Sequence, residues 1–372
     1  MGEGPLPSRR HAAGGEHKSR IGLPASRAMG PGHALLQPTA DQQARALELR
    51  SLLTQAVPTP SPPGLLLSGG LDTSVVAEIA QGRGLREALT VIASEDAPDR
   101  PFAREVAGRL GLSHHEIVTD LPGLLEDLPA VVRVLATFDP MELRNSVVVA
   151  RGLREARRLG IPEVLTGDGA DELFAGYSFL WSLPPATLRD RLDRMAAGMR
   201  FSSFPLGQAL GVKVRAPFLD PRVVAFAAGL GREDLVGSRD GTTMGKVLLR
   251  FAFPEVPAVW RRKDPIEVGS GSTRLPEFFR ERMAPRAFVA AQDRIRREDG
   301  VAIRDAEHLA YYRVFREVFS DHPPVRRGGP DPCPHCGFEL PDLSSDFCVT
   351  CGAWPARRPP PPGPAGPGPP DL

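Results

Sequence analysis

The sequence of 372 residues predicts an α/β protein with a doubly wound parallel sheet. Short apolar runs of the kind that form strands alternate along the chain with segments of helical periodicity. The runs are continuously apolar, which is typical of strands buried on both faces. Two of them end in a glycine-rich turn that is followed at once by the start of a helix. Because ligands of such sheets bind beyond the carboxyl ends of the strands, we expect the functional site at these two turns.

The order of the elements follows from apolar runs, periodicity and helix-terminating residues. The predicted elements are a helix over 42–56 with Asp41 as N-cap, strand 65–67, a helix from 75, strand 89–93, helix 102–110 ended by Gly111, strand 115–118, a helical segment 121–138 broken by Asp139 and Pro140, helix 142–159 and strand 164–166. Residues 1–40 show no periodicity and predict a disordered extension.

The first turn, residues 68–74 (Ser-Gly-Gly-Leu-Asp-Thr-Ser), has the features of a phosphate-binding loop. The first amides of a helix have no internal partner, and the helix dipole favours an anion beside them. The hydroxyls of Thr73 and Ser74 add donors. Asp72 would repel a bare phosphate, so its presence indicates a divalent metal ion between the two. The alternative interpretation is an ordinary glycine turn of an α/β protein.

The second turn, residues 166–177 (Thr-Gly-Asp-Gly-Ala-Asp-Glu-Leu-Phe-Ala-Gly-Tyr), carries three carboxylates at a strand end. In a chain with a phosphate loop, Asp168 and Asp171 indicate a further metal ligand and a catalytic acid or base. The alternative is that these two aspartates merely cap a helix.

Charge and hydropathy exclude several classes of partner. The formal net charge is +1, so we expect no bulk electrostatic attraction to nucleic acid or to a membrane surface. No run of 18 apolar residues and no segment typical of a signal peptide is present. These features predict a cytoplasmic protein.

The four cysteines of the chain stand in two pairs, Cys333 with Cys336 and Cys348 with Cys351. Two Cys-x-x-Cys pairs 11 residues apart are typical of a tetrahedral structural Zn²⁺ site. We therefore predict a zinc ribbon over 330–355, followed by a proline-rich disordered tail over 356–372. A structural or protein-contact role is expected for the ribbon, because it lacks a dense basic surface.

Together the two turns resemble the synthetase domain of the glutamine-dependent asparagine synthetases and of the related β-lactam and carbapenam synthetases. The first is similar to the pyrophosphate loop of the ATP pyrophosphatase superfamily, Ser-Gly-Gly-x-Asp-Ser, and the second to the family motif Ser-Gly-Glu-Gly-Ala-Asp-Glu-Leu-Phe-Gly-Gly-Tyr. Further blocks match in order at 138–140, 143–146, 214–220, 246–250, 262–263 and 269–271. The resemblance implies an asparagine synthetase-like domain over 41–322, with the adenine nucleotide α-hydrolase-like fold and a helical C-terminal part.

The resemblance also implies a chemistry: a carboxylate, aspartate in the family, attacks the α-phosphorus of ATP, and ammonia or another amine converts the acyl-adenylate into an amide. The implied ATP and pyrophosphate contacts are Leu67, Ser68, Gly69, Gly70, Asp72, Thr73, Ser74, Ala93, Ser94, Gly167, Lys246 and Arg250. Asp72 and Asp171 match the Mg²⁺ ligands, and Lys263 matches the lysine over the reacting centre. Asp168 is the second catalytic candidate. Arg144, Asn145 and Glu172 are the candidates for substrate binding.

Three departures from the family pattern bear on function. The asparagine synthetases have Glu and the β-lactam synthetases have Tyr where this chain has Asp168, which argues against β-lactam closure. The family's glutaminase domain uses an N-terminal cysteine nucleophile, whereas the first cysteine here is Cys333. We therefore expect free ammonia, another amine, or ammonia delivered by a separate glutaminase or other partner that binds the ribbon. The segment between Tyr177 and Val214 is shorter than the family pattern leads us to expect.

Two other hypotheses remain. A tRNA-modifying enzyme of the same superfamily would combine the loop with a zinc ribbon, but such enzymes typically need catalytic cysteines outside the ribbon. A degenerate synthetase domain that serves as a scaffold for partners is the non-enzymatic alternative. Measurement of ATP–pyrophosphate exchange separates these hypotheses from the ligase.

Overall fold

The structure, a computed structural model, describes residues 36–257, 259–261, 265–320, 328–340 and 346–357. The predicted extension over 1–40 and the predicted tail over 356–372 lie almost entirely outside these ranges. Lys263 also lies outside the described residues, so its predicted role stays a prediction. Within the described ranges, no helix has the length and apolar character needed to cross a membrane.

The described part of the chain begins with a helix and then alternates strands with helical segments as far as the fifth strand. The strands are β1 (Gly64–Leu66), β2 (Glu87–Ile92), β3 (Ser113–Val118), β4 (Glu163–Leu165), β5 (Lys213–Arg215), β6 (Val236–Arg239) and β7 (Thr242–Gly245). The helices are α1 (Ala40–Ala56), α2 (Leu71–Ala80), α3 (Asp99–Leu110), α4 (Leu121–Leu125), α5 (Leu128–Leu135), α6 (Pro140–Arg158), α7 (Ala170–Leu173), α8 (Pro185–Ala197), α9 (Ser203–Leu210), α10 (Pro221–Ala228), α11 (Arg232–Leu235), α12 (Val247–Ala252), α13 (Ile266–Ser270), α14 (Leu275–Glu281), α15 (Pro285–Asp299) and α16 (Ala306–Val318). Short 3₁₀ turns lie at Ser178–Leu180, Pro217–Leu219 and Ser272–Arg274.

Five strands form one parallel sheet in the order β3-β2-β1-β4-β5. In the central strand, Leu65 lies opposite Ala88 on one side and opposite Leu165 on the other. The first three strands extend the sheet in one direction and the last two in the other, so the topology switches between β1 and β4. Sheets of this kind bind ligands at that switch point. The two glycine-rich turns follow these two strands and therefore share one edge of the sheet.

Successive strand residues supply two hydrophobic cores on opposite faces of the sheet. Leu65 and Leu67 are buried in a core with residues of α1, α2, α3 and α12. Leu66 packs instead against a second core, which contains residues of α5, α6 and α16. The predicted doubly wound α/β fold with a helical C-terminal part is thereby confirmed.

Several helix boundaries differ from the sequence prediction. The N-cap of α1 is Thr39 rather than Asp41, because Thr39 and Gln42 form a reciprocal capping box with hydrogen bonds of 3.1 and 3.2 Å. The predicted helix over 121–138 consists of α4 and α5, and it ends early because Ala136 has a left-handed φ of 52°. Asp139 and Pro140 begin α6 rather than separating it from its predecessor: the Met141 N–H donates to the Asp139 carboxylate at 3.2 Å.

Candidate active site and cysteine cluster

A cavity of about 720 Å³ opens where β1, β2 and β4 end. Both glycine-rich turns line it, together with the inner face of α6 and the segments before α9 and around α13. The residues that line it include Leu67, Ser68, Gly70, Asp72, Thr73, Asp99, Met141, Glu142, Asn145, Gly167, Asp168, Asp171, Glu172, Tyr177, Phe179, Arg200, Phe201, Ser202, Ser203, Lys246, Arg250 and Arg261. A concave site of this size with converging polar groups is suited to a small-molecule ligand.

The first turn is shaped by one glycine and by hydrogen bonds among its own hydroxyls. Gly69 has a φ of +68°, and a Cβ at this position would overlap the backbone of Ala103 in α3. The Ser68 N–H donates to Thr73 Oγ1 at 3.3 Å, and the two hydroxyl oxygens are 3.1 Å apart. Gly70 begins α2, and no side chain among the described residues caps that helix. The turn therefore directs uncapped amides of a ten-residue helix toward the cavity.

Asp168 in the second turn is held by two hydroxyl groups and does not cap a helix. Its Oδ2 accepts from Thr166 Oγ1 at 2.9 Å and from Ser203 Oγ at 2.5 Å. Burial raises the pKa of the Asp168 carboxyl, and the two hydroxyl donors oppose that rise. The helix that follows, α7, starts at Gly169 without a side-chain cap, so the capping interpretation of Asp168 and Asp171 is wrong.

Glu172 and Tyr177 form a half-buried pair beside this carboxylate. The Tyr177 hydroxyl donates to Glu172 Oε1 at 2.6 Å, and the Tyr177 ring stacks on Phe179 with centroids 5.6 Å apart. Burial raises the pKa of Glu172, and the neighbouring Asp171 raises it further. An aromatic surface therefore adjoins the acidic end of the cavity.

Lys246 joins the two turns. Its Nζ lies 2.6 Å from Asp72 Oδ2 and 2.7 Å from Asp171 Oδ1, and the lysine is buried. Burial by itself lowers the pKa of this ammonium, but the carboxylates of Asp171 and Asp72 outweigh it and the net effect raises the pKa. Lys246 has a left-handed φ of 59°, a conformation that is costly for a non-glycine residue and is concentrated at functional sites.

The carboxylates of Asp72 and Asp171 have the chemistry of a Mg²⁺ site. Magnesium in nucleotide enzymes is usually held by one or two carboxylates together with substrate phosphates. Here the two side chains come from neighbouring strand ends and already share one cation. A Cβ on Gly176 would overlap both Asp171 and Lys246, so the backbone is bare of side chain where it approaches the cluster. The donor set fits the metal that the sequence predicts.

Comparison with known proteins agrees with this geometry. Residues 48–208 match the model of the asparagine synthase family, and this range contains both turns, β1 to β4 and α6. These residues form an asparagine synthase domain.

The relatives of the domain include three enzymes from distant organisms. The chain is 30% identical over 235 residues to asparagine synthetase [glutamine-hydrolyzing] 2 of Lotus japonicus, covering 57% of this chain and 40% of the relative. It is 32% identical over 240 residues to a probable asparagine synthetase of Dictyostelium discoideum, covering 56% and 43%. Asparagine synthetase B of Escherichia coli K12 is 28% identical over 301 residues, covering 73% and 53%. The chain thus spans about half the length of these curated relatives or less.

Two of the predicted ligand contacts, Arg144 and Arg250, use their guanidinium groups for bonds within the protein. Arg144 pairs with the buried Glu307 at 2.7 Å and does not line the cavity. The guanidinium of Arg250 lines it but donates to backbone carbonyls, including Gly245 O at 3.0 Å. Burial lowers the pKa of Arg250 to about 10. Ser74 is buried, and its hydroxyl has no hydrogen-bond partner in the described part of the chain.

The segment after β2 is also set back from the cavity. The Ala93 N–H donates to Ser270 O at 2.8 Å, and Ser94 packs against Gly271. Neither Ala93 nor Ser94 lines the cavity, and Gly69 does not line it either. Their predicted contacts with ATP stay predictions.

Several residues that line the cavity were not predicted from the sequence. Ser203 bonds to Asp168, and Arg200 and Phe201 lie just before it in the chain. All three come from the segment between Tyr177 and Val214, for which the family pattern offered no motif. Arg261 pairs with Asp99 at 2.7 Å. It belongs to the same basic run as Lys263, and only that lysine was predicted as a site residue.

The four cysteines form a separate, buried cluster. Their Sγ atoms all lie within 4.8 Å of one another, with 3.9 Å between Cys333 and Cys351 and 3.7 Å between Cys336 and Cys348. A tetrahedral Zn²⁺ with Zn–S bonds of about 2.3 Å places its sulfurs about 3.8 Å apart. The arrangement fits this metal, and it is the one group of three or more potential ligands found among the described residues.

Both cysteine pairs have the same backbone geometry. The N–H of Gly337 donates to Cys333 O at 2.7 Å, and the N–H of Gly352 donates to Cys348 O at 2.8 Å. The two glycines have φ of +74° and +69°, a conformation that favours glycine. The glycine after each pair is therefore required by the turn around the sulfur cluster.

Proposed function

We propose that this chain is an AMP-forming amide ligase, which adenylates a carboxylate with ATP and transfers ammonia or another amine to it. The observation that carries the proposal is the junction of the two turns, where Lys246 joins Asp72 and Asp171 beside the uncapped start of α2. This junction offers a place for pyrophosphate and for the cation that would neutralise it. The asparagine synthase domain supports ATP-dependent amidation as the general reaction.

The first half-reaction requires in-line attack and neutralisation of the leaving group. A carboxylate oxygen of the acceptor forms a bond to the α-phosphorus, the bond to the bridging oxygen breaks, and pyrophosphate leaves with the electron pair. The amides at the start of α2 and the hydroxyls of Ser68 and Thr73 bind the pyrophosphate. Mg²⁺ held by Asp72 and Asp171 would supply charge neutralisation when bound. Lys246 keeps the two carboxylates together and lowers their mutual repulsion.

The second half-reaction forms the amide. The amine nitrogen bonds to the acyl carbon, the bond to the adenylate oxygen breaks, and AMP leaves. The nitrogen must lose a proton, and Asp168 lines the cavity with an ionisable oxygen suited to accept it. Thr166 and Ser203 hold that carboxylate and favour its charged form.

Aspartate is our first candidate for the acceptor, following the relatives named asparagine synthetase. Asn145 lines the cavity, and its Oδ1 is buried without a hydrogen-bond partner among the described residues. This acceptor is open to a donor from a ligand, and the α-amino group of an amino acid is one. The amine is proposed to be ammonia, either free or supplied by a separate glutaminase.

The test is ATP–pyrophosphate exchange by the purified chain with Mg²⁺ and a panel of carboxylates that includes aspartate, followed by mass analysis of the product after addition of ammonium. We expect exchange that depends on one carboxylate, and an amide and AMP in equal amounts. Asp171→Asn should abolish exchange, whereas Asp190→Asn, in an exposed ion pair of α8, should not.

Two results would contradict the ligase. Binding of ATP by folded protein without exchange for any carboxylate would indicate the scaffold hypothesis. Exchange or AMP release that requires tRNA instead of a carboxylate would indicate the RNA-modifying hypothesis.

A further inference from the structure

The second cysteine pair is bonded directly to the junction between α5 and α6. Thr137 Oγ1 lies 2.8 Å from Val349 O and 3.1 Å from Thr350 O, between the two cysteines of that pair. The Phe138 N–H donates to Thr350 O at 2.8 Å. Two consecutive residues of the junction therefore depend on carbonyls whose directions are set by the turn around the sulfur cluster.

A second set of contacts reaches the same turn from the segment before α16. Arg304 donates to Gly352 O at 2.7 Å and to Cys351 O at 3.1 Å, and its guanidinium lies 3.8 Å from the Asp139 carboxylate. A Cβ on Gly352 would overlap Asp139. The backbone of residues 348–352, called the cysteine turn from here on, thus packs against Asp139, the N-cap residue of α6.

Apolar packing makes the ribbon part of the larger fold. The four cysteines are buried in the same hydrophobic core as Phe138 and Phe315. Phe315 contacts Phe338 of the ribbon, with centroids 5.8 Å apart, and contacts Phe138 of the junction at 5.1 Å. This face of the ribbon is therefore covered by the chain's own helices.

The first turns of α6 continue from this junction into the cavity. Met141, Glu142 and Asn145 line it, and the Met141 N–H is capped by Asp139. The ribbon is thus connected to the cavity by a short series of contacts. These contacts run from the cysteine turn through residues 137–139 to the inner face of α6.

We propose that Zn²⁺ bound by the four cysteines is a positioning element of the cavity, which fixes the start of α6 through the carbonyls of residues 349–352. A segment this small gains its folded conformation from the metal, so the carbonyls are correctly directed only when Zn²⁺ is bound. Loss of the metal releases residues 137–139 and loosens the wall formed by Glu142 and Asn145. The ribbon then acts on the cavity of its own chain, whereas the sequence had left a protein-contact role for it open.

The test is hydrogen–deuterium exchange of the full chain with bound zinc and after removal of zinc by chelation. We expect faster exchange in peptides covering 136–146 as well as in the ribbon when zinc is removed. Peptides covering 64–80 should keep their protection. Faster exchange in the ribbon alone would overturn the proposal, because the metal would then stabilise only its own segment.

A matched pair of substitutions keeps the test valid if removal of zinc unfolds the chain. Thr137→Val deletes the hydroxyl that bonds to the cysteine turn, whereas Thr350→Val deletes a buried hydroxyl of that turn with no hydrogen-bond partner among the described residues. Both variants should retain equimolar zinc by elemental analysis. Thr137→Val should speed exchange at 140–146 by about fivefold, the effect of one lost hydrogen bond, and Thr350→Val should leave it unchanged. Equal exchange in the two variants would overturn the proposal.

An activity measurement extends the test and rests on the proposed function, whereas the exchange measurements do not. Thr137→Val should raise the KM of the acceptor carboxylate severalfold, because Asn145 lies on the affected wall, and should change the KM of ATP less. Absence of activity in the unmodified chain would contradict the proposed function and leave the exchange result intact. An unchanged KM together with faster exchange would restrict the role of the metal to structure.

Discussion

The chemistry of the cavity depends on single side chains whose pKa values are raised by one part of their surroundings and lowered by another. The carboxyl of Asp168 is desolvated, which raises its pKa, yet it accepts two hydroxyl hydrogen bonds that favour its charged form. Lys246 is buried as well, but its contacts with Asp72 and Asp171 hold it charged. A carboxyl group whose pKa is raised and a fixed positive charge therefore lie in one cavity.

Ser203→Ala should make Asp168 harder to ionise. The Ser203 hydroxyl lowers the pKa of the carboxyl, so its loss raises that pKa and moves the acidic limb of the kcat/KM profile to higher pH by about one unit. The measurement is the pH dependence of amide formation in the variant and in Ser202→Ala. Ser202 lines the same cavity but makes no hydrogen bond to Asp168, so its variant should keep the parental profile. A shared profile for the two variants would show that Asp168 does not set the limb.

At the scale of elements, α6 connects the cavity, the sheet and the helical C-terminal part. Its Arg144 donates to both carboxylate oxygens of Glu307 in α16, at 3.1 and 2.7 Å. Glu307 also accepts from the Tyr311 hydroxyl at 3.0 Å. Glu307 is buried and Arg144 is largely shielded, so Arg144 serves to attach α6 to α16 in this structure.

Arg144→Met should lower the free energy of unfolding by about 3 kcal/mol, because it leaves the buried Glu307 carboxylate without its cation. The double variant Arg144→Met/Glu307→Gln should recover most of this loss, since glutamine is neutral and still accepts from Tyr311. Equilibrium denaturation measures both effects. Arg194→Met, which breaks an exposed pair with Asp190, should change stability by less than about 1 kcal/mol. A single variant as stable as the parent would contradict the structural role and return Arg144 to the substrate candidates.

At the scale of the whole molecule, the second core contains the sheet face, the C-terminal helices and the cysteine cluster. His308 lies inside it, stacked on Phe138 with centroids 5.3 Å apart. Its Nδ1 accepts from the Arg304 N–H at 3.1 Å. Burial lowers the pKa of His308 to about 3, and the nearby positive charge of Arg304 lowers it as well. The imidazole is therefore neutral in the folded state at neutral pH.

This histidine should make the fold sensitive to acid. The unfolded chain takes up a proton at His308 below about pH 6.5, whereas the folded chain does so only near pH 3, so stability falls as pH falls through that window. The loss from this group should reach about 3 kcal/mol at pH 4. The measurement is the free energy of unfolding at about pH 6 and about pH 4 in the parent and in His308→Gln, which keeps an acceptor for Arg304. If both lose the same amount of stability, the buried histidine is not a source of the acid sensitivity.

Features that depend on neighbouring residues could be predicted from the sequence. Strand runs, helix periodicity and glycine turns are local, and they led to the correct fold class and to two turns at one sheet edge. The spacing of the cysteines is also local, because residues i and i+3 around a glycine turn bring both sulfurs to one side. Helix ends were less certain: the capping box of Thr39 and the left-handed Ala136 depend on backbone geometry that composition does not specify.

The amino-acid sequence by itself determined the α/β alternation, the two turns of the asparagine synthase domain and the two cysteine pairs, since each rests on residues close together in the chain. Only the tertiary structure decided which distant side chains meet. It bonds Ser203 to Asp168, assigns Arg144 to Glu307 and attaches the cysteine turn to Thr137. The physical reason is that these partners are selected by packing, since a buried polar group must find its partner wherever the folded core places one.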